Sequence, residues 1–459
     1  MCTITKDPSI IIKCSNPMDQ NAAESITCMA VESNAKAWPL RMVWFYPNKL
    51  KQTRDEFMPS KQLQLTLSNT LNYFTILAGR GTEDENGNVT VHLNNEGVLY
   101  TDAQCPDQSL DYFIQRTDDE EFDYEHINST DLDVLIPNDF TGPLMSIQVT
   151  RLQCDSVVIS IVVCHCLMDA QSSAHFITSW AAGGTPKNLP MMDKSFVLFS
   201  TEEQQQRAPL TRPANCVFTR DLIPSPETVL VRAGFSERVI SRVYHFSADE
   251  LKNIKVAAMK DLSSAVDYIS TYDALYAHMV LVIAQATQKS FVGNDKIKIL
   301  QSLNGRTRFA VSYSPETLYY FGSFAFWLYD TWTADEPPTL PSLAKWIHEM
   351  HAKQTVQSLK YYNAYLTSGD GKIGKNQVDA DIINHDFHCA SWRKVNMLGG
   401  NFGGGDNYPI YSGPTKQVFP QYFAMMDSHK RDESVNIVLA LRESDYTRLL
   451  EQKMIHKYR

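Results

Sequence analysis

The run at residues 157–163, Val-Val-Ile-Ser-Ile-Val-Val, limits the fold more than any other part of the chain. It is apolar except at Ser160 and rich in β-branched residues. β-Branched side chains are stiff at χ1 and favour extended backbone. A run without polar alternation reads as a central strand covered on both faces, so other layers must lie above and below it. His165-Cys166-Leu167-Met168-Asp169 comes immediately after it. Residues 170–181 then have helical spacing, with Phe176, Ile177 and Trp180 on one side. Gly183-Gly184-Thr185-Pro186 stops that helix. A strand end of this kind delivers the next side chains to the edge of a sheet, where clefts form.

The rest of the chain also alternates between strand-like and helix-like patterns, which predicts an α/β fold. Strands are expected at 42–46, 89–93, 144–152, 239–246, 297–303, 324–329 and 435–441. Helices are expected at 63–77, 248–259, 272–287, 341–358 and 444–454. Ala78-Gly79-Arg80-Gly81 ends the first of these helices, and Asn86-Gly87 is a hairpin-turn signal. Between 187 and 238 periodic order dissolves around Pro190, Pro209, Pro213, Pro224 and Pro226. That predicts an N-terminal domain over 1–190, a crossover over 191–235 and a C-terminal domain over 236–459.

Charge removes several function classes. The net charge of −10 argues against general binding to nucleic acid or membrane surfaces, which needs a basic face. A local basic pocket for an anionic ligand remains open. No segment approaches the ~18 apolar residues of a membrane span. Neither end carries a secretory, prenylation or peroxisomal signal, so a cytoplasmic location is expected. The nine cysteines are odd in number and scattered, with no Cys-x-x-Cys, which reads as reduced thiols.

His165 is the leading candidate for chemistry. An imidazole with an ordinary pKa near 6.5 can take a proton at neutral pH and return it. Asp169 can bond locally or pair with a distant arginine to fix the bend. A metal reading of Cys164-His165-Cys166 is weak, because alternation along a strand turns the two cysteines one way and the histidine the other. No metal is expected. His175 reads as structural or surface. A serine-hydrolase reading fails for want of a Gly-x-Ser-x-Gly elbow, and no phosphate-cradling glycine loop occurs. The acidic run from Asp118 to Glu125 reads as a solvated loop, with attraction of a cationic acceptor as the sharper alternative.

Further segments stand in a definite order. They are Leu71 to Arg80, ending Leu-Ala-Gly-Arg; Asn94-Asn95-Glu96-Gly97-Val98; Pro143 to Thr150; and His165 with Asp169. Then come Ile269-Ser270-Thr271-Tyr272-Asp273-Ala274-Leu275, Asn304-Gly305-Arg306-Thr307-Arg308, Tyr320-Phe321-Gly322-Ser323, Ser391-Trp392 and Asn401-Phe402-Gly403-Gly404-Gly405. In this order they resemble the landmarks of the BAHD family of coenzyme A-dependent acyltransferases, over most of the chain. The resemblance implies two pseudo-similar α/β domains with mixed sheets and flanking helices, chloramphenicol-acetyltransferase-like, and a substrate tunnel between them. It implies transfer of an acyl group from acyl-coenzyme A to a hydroxyl or amine of a small metabolite. His165 would be the general base, with no acyl-enzyme. Acyl-coenzyme A would be a co-substrate, with no other cofactor, and the protein a monomer. Asp169 would turn away from substrate and pair with Arg306, and Trp392 would be a candidate oxyanion donor. Lys255, Ser270 and Thr271 would face the donor; Lys252 and Lys260 lie in the same basic cluster, whose plainer reading is a solvated helix face. Asn401 would buttress a structural loop near the donor channel.

Three positions depart from the family pattern. Asn401 stands where the family has aspartate, Gly404 where it has tryptophan, and Ala170 where glycine is usual. They keep open a relative that only binds ligand. A carrier-protein-dependent condensation-type enzyme is the other alternative, but those usually have a second histidine where this chain has Cys164.

Overall fold

The computed structural model describes residues 2–16, 25–36, 39–137, 140, 142–206, 210–211, 213, 237–260, 268–291, 296–368, 386–402, 404–416 and 419–459. Two seven-stranded sheets organise them, with a three-stranded sheet beside the first. In the first sheet the order is Thr5–Lys6, Val98–Cys105, Met145–Leu152, Val157–Cys164, Pro39–Tyr46 and Tyr411–Pro414, with Ile10–Ile12 also on Val98–Cys105. Val157–Cys164 is buried at every position and pairs on both sides, as its apolar run demands. In the second sheet the order is Ala325–Thr331, Lys298–Asn304, Phe387–Ser391, Tyr422–Asp427, Val435–Arg442, Val239–Phe246 and Phe122–Asp123. Both sheets are mixed, because each joins parallel and antiparallel neighbours.

Each sheet takes one strand from the other end of the chain. Tyr411–Pro414 pairs antiparallel with Pro39–Tyr46 in the first sheet. Phe122–Asp123 pairs antiparallel with Val239–Phe246 in the second. A large apolar cluster covers the first sheet and the helices Ser60–Leu71 and Ala170–Ala181. A second surrounds the helix Thr271–Ala286.

Most of the expected elements are present, and the differences have local causes. The expected helix at 63–77 is Ser60–Leu71, continued by a 3₁₀ turn at Thr75–Ala78. The expected helix at 341–358 is two helices, Leu340–Ala352 and Val356–Thr367. The break is a capping signal hidden within the periodic pattern: Thr355 Oγ1 accepts from Ser358 N at 3.1 Å. Phe387–Ser391, Tyr411–Pro414 and Tyr422–Asp427 are strands that the sequence pattern does not announce. They are short, and Tyr411–Pro414 contains Ser, Gly and Pro yet is wholly buried. Of the crossover at 191–235, the structure shows a 3₁₀ turn at Ser195–Val197 and a helix at Thr201–Gln206. Most of the crossover beyond Gln206 lies outside the described residues.

Candidate active site

His165 is the first residue after the central strand Val157–Cys164. It is half-buried. Its Nδ1 lies 3.2 Å from Ser323 Oγ, and Ser323 is itself buried. Ser323 N also donates to Cys166 O at 3.4 Å, so the segment 320–324 is laced onto the turn. Burial holds the His165 imidazole below its usual pKa, against smaller opposing effects of backbone hydrogen bonds and the Asp169 charge. Cys164 and Cys166 are buried in the first core with their sulfurs 2.9 Å apart.

Asp169 has a different task. It is the N-cap of the helix Ala170–Ala181, its Oδ1 accepting from Ser172 N at 3.0 Å. Its Oδ2 accepts from Arg306 Nη1 at 2.6 Å and from Phe324 N at 2.9 Å. The Arg306 side chain is fully buried. Its Nε donates to Tyr320 O at 2.8 Å, and its Nη2 donates to Ser172 Oγ at 2.9 Å and Gly322 O at 2.8 Å. Every arm of the guanidinium is therefore used. A buried ion pair is tolerated only when its remaining donors and acceptors are satisfied in this way.

This network includes residues to which no sequence motif assigns a role. Ser172, one turn into the helix, accepts from both Arg306 Nη2 and Gly322 N. Glu32 comes from the N-terminal helix Ala30–Ser33 and is buried. Tyr320 OH donates to Glu32 Oε1 at 2.7 Å, and burial raises the Glu32 carboxyl above its usual pKa. A Cβ at Gly322 would lie 2.0 Å from Glu32 Oε1, so a larger residue there would displace the Glu32 carboxylate from Tyr320. The four-residue landmark ending at Ser323 is the available signal. It does not say that Ser323 faces the histidine.

The other candidates are dispersed. Trp392 is buried in the first core, its backbone N–H bonded to Met425 O at 2.8 Å. Its indole N–H makes no hydrogen bond among the described residues. Ser270 is the N-cap of the helix Thr271–Ala286, its Oγ accepting from Asp273 N at 3.1 Å and donating to Asp273 Oδ2 at 2.7 Å. That hydroxyl is committed to its helix, and Thr271 is the first helical residue. Lys255 Nζ sits 4.4 Å from the centre of the Tyr268 ring, while Lys252 and Lys260 are exposed. His175 is structural, its Nε2 2.8 Å from Asn188 O. The acidic run is not a free solvated loop. Glu120 pairs with Arg116 and Lys430, Glu121 with His456 and Arg242, and Asp119 with Arg459.

Comparison with known proteins decides what this arrangement is. A family model described as the Transferase family matches residues 4–455. The chain belongs to this family, the BAHD acyltransferases. Its members transfer acyl groups from coenzyme A thioesters to alcohols and amines, and this chain is an enzyme of that class. It is 25% identical over 419 residues to hydroxycinnamoyl-CoA:5-hydroxyanthranilate N-hydroxycinnamoyltransferase of Avena sativa, covering 87% of this chain and 88% of the relative. It is 24% identical over 417 residues to shikimate O-hydroxycinnamoyltransferase of Nicotiana tabacum, covering 86% and 88%. The fold is that of F. graminearum TRI101, solved with coenzyme A and deoxynivalenol, with a TM-score of 0.72, 15% identity and coverage of 95% and 99%.

As a BAHD chain, it is unusual at 401–405. Asn401 Nδ2 donates to Gly405 O at 2.9 Å, and its buried Oδ1 has no partner among the described residues. Gly404 and Gly405 have φ of +75° and +61°, and a Cβ at either would meet open space. Tryptophan at 404 would therefore need a left-handed backbone, which costs an L-residue roughly 1–2 kcal/mol. Among the described residues, no helix is long and apolar enough to cross a membrane.

Proposed function

We propose that His165 is the general base of acyl transfer from acyl-coenzyme A to a hydroxyl or amine of a small metabolite. The observation that carries this is the division of labour in one turn. His165 is half-buried at a strand end with Ser323 on Nδ1, while Asp169 is turned away into a satisfied ion pair. Action through Nε2 requires the ring proton on Nδ1, where Ser323 Oγ is placed to accept it. Nε2 then takes the proton of the acceptor hydroxyl or amine as its oxygen or nitrogen attacks the thioester carbonyl. The tetrahedral intermediate collapses, the C–S bond breaks, and the coenzyme A thiolate leaves and takes up the proton. No acyl-enzyme forms. A base of this kind contributes ~10²–10⁴-fold, and holding both substrates together adds to it.

The low pKa keeps the imidazole neutral and ready at physiological pH. The indole N–H of Trp392 is available as an oxyanion donor. The parts 1–190 and 236–459 form the two walls between which donor and acceptor meet, and free thiols suit a reducing, cytoplasmic setting. The relatives' acceptors, an aromatic amine and a hydroxy acid, support both nitrogen and oxygen as nucleophile. The test is release of free thiol from acetyl, malonyl and hydroxycinnamoyl thioesters against a panel of alcohols and amines. Wild type should release thiol with at least one pair, and His165→Ala should not. Equally slow release by both for every pair would sink the proposal.

A further inference from the structure

Cys2, Cys105 and Asp107 stand far apart in sequence and together in space. The pairing Thr5↔Gln104 and Lys6↔Ala103 runs antiparallel, so the chain before Thr5 folds back over the end of Val98–Cys105. That register brings Cys2 Sγ to 3.1 Å from Cys105 Sγ, and Cys105 Sγ to 3.4 Å from Asp107 Oδ1. All three ligand atoms lie within 4.8 Å of one another. The Asp107 carboxylate is oriented by the backbone, with Thr3 N donating to Oδ2 at 3.0 Å and Oδ1 at 3.3 Å. Cys105 is fully buried, Cys2 half-buried and Asp107 exposed, so the cluster has a solid floor and an open mouth.

We infer that Cys2, Cys105 and Asp107 form a binding site for a thiophilic divalent cation of the zinc class. The chemistry selects the ion. Two soft sulfur ligands favour zinc or monovalent copper, and a carboxylate as third ligand favours the divalent ion. A zinc ion with ~2.3 Å bonds to sulfur holds its thiolates nearly 4 Å apart in tetrahedral geometry. The present sulfur separation needs only a small opening, and water from the exposed side completes the shell. No lysine or arginine is ion-paired to Asp107 among the described residues. Both thiols lose their protons to solvent as the two metal–sulfur bonds form. The bound ion ties the strand Thr5–Lys6 to the sheet and stabilises the fold, because the site exists only in the folded chain. The sequence predicts no metal because no local spacing announces this site. It is separate from the acyl-transfer chemistry and does not depend on it.

The experiment uses the full chain carrying Cys154→Ser, which removes the thiol exposed among the described residues, reduced and stripped with a chelator. Cadmium is titrated in while the near-ultraviolet thiolate-to-cadmium band is monitored, and zinc is then added to displace it. One equivalent should bind, Asp107→Asn should weaken binding about tenfold or more, and Cys105→Ser should abolish the Cys2/Cys105 band. Asp107→Asn, at an exposed position, keeps the test open if Cys105→Ser folds poorly. An absent band, or one unchanged by both substitutions, overturns the site. So does an intact mass two hydrogens light with Cys2 and Cys105 in one cross-linked peptide, which would make the pair a disulfide.

Discussion

The turn at 165–169 and the loop at 401–405 are both BAHD landmarks, yet they differ in completeness. At the turn, Asp169 uses both carboxylate oxygens and Arg306 uses every arm of its guanidinium. At the loop, Asn401 leaves a buried oxygen without a partner among the described residues, and two glycines occupy left-handed backbone over open space. A buried charge left unpaired is far more costly than a surface loop that changes shape, so the turn tolerates little and the loop much. The difference teaches where function is concentrated: the proposed base and its support are fully bonded, while the loop carries the substitutions.

The sharpest way to break this comparison is at the base. His165→Ala should lower turnover ~10²–10⁴-fold with little change in thermal stability. A loss under tenfold would remove the turn from the chemistry. The pH profile tests the same residue without mutation. The working form is neutral, and a lowered pKa keeps it neutral further into acid. The acid-side fall in kcat/KM should therefore lie below pH 6.5, and a fall centred above that value would contradict the burial of the ring.

Asp169→Asn separates support from chemistry. It strands the Arg306 charge in the core, and removing one partner of a buried pair costs on the order of 3–5 kcal/mol. Thermal unfolding should report that loss, while molecules still folded at low temperature should retain most of their turnover. Unchanged stability with abolished turnover would make Asp169 a participant in the reaction. Ser323→Ala should act in the opposite sense and more weakly. It removes one neutral hydrogen bond to His165, worth ~0.5–1.5 kcal/mol, so kcat should fall several-fold while KM and unfolding stay nearly constant. An equal effect on KM would mean that Ser323 contacts substrate instead of positioning the ring.

The contrast also tracks what is legible in the chain. The expected strand at 239–246 and helix at 170–181 coincide with Val239–Phe246 and Ala170–Ala181, because uninterrupted apolar periodicity specifies both type and length. Arg306 emerges from ordered landmarks, since no local pattern links residues 137 positions apart. Ser323 and Glu32 stay hidden because their roles depend on which strand ends meet, and that is set by sheet topology. Tyr411–Pro414 is illegible for a related reason. Its Ser, Gly and Pro carry no strand signal, and it is held by pairing to Pro39–Tyr46 from the far end of the chain.

The smallest expected effect tests the loop. Asn401→Asp restores the family's residue, and on sequence alone it should repair the landmark. The geometry argues otherwise. Asn401 Nδ2 is a donor aimed at Gly405 O, and a carboxylate oxygen in its place would face another acceptor. The other side-chain oxygen is buried without a partner among the described residues, and a negative charge there would be costlier than a neutral amide. The substitution should lower stability by about 1 kcal/mol, read as a small drop in unfolding temperature, and leave kcat unchanged. A rise in stability would mean that a cationic partner lies within reach of position 401. The loop would then be an intact landmark lacking one atom, and the contrast with the turn would narrow to a single substitution.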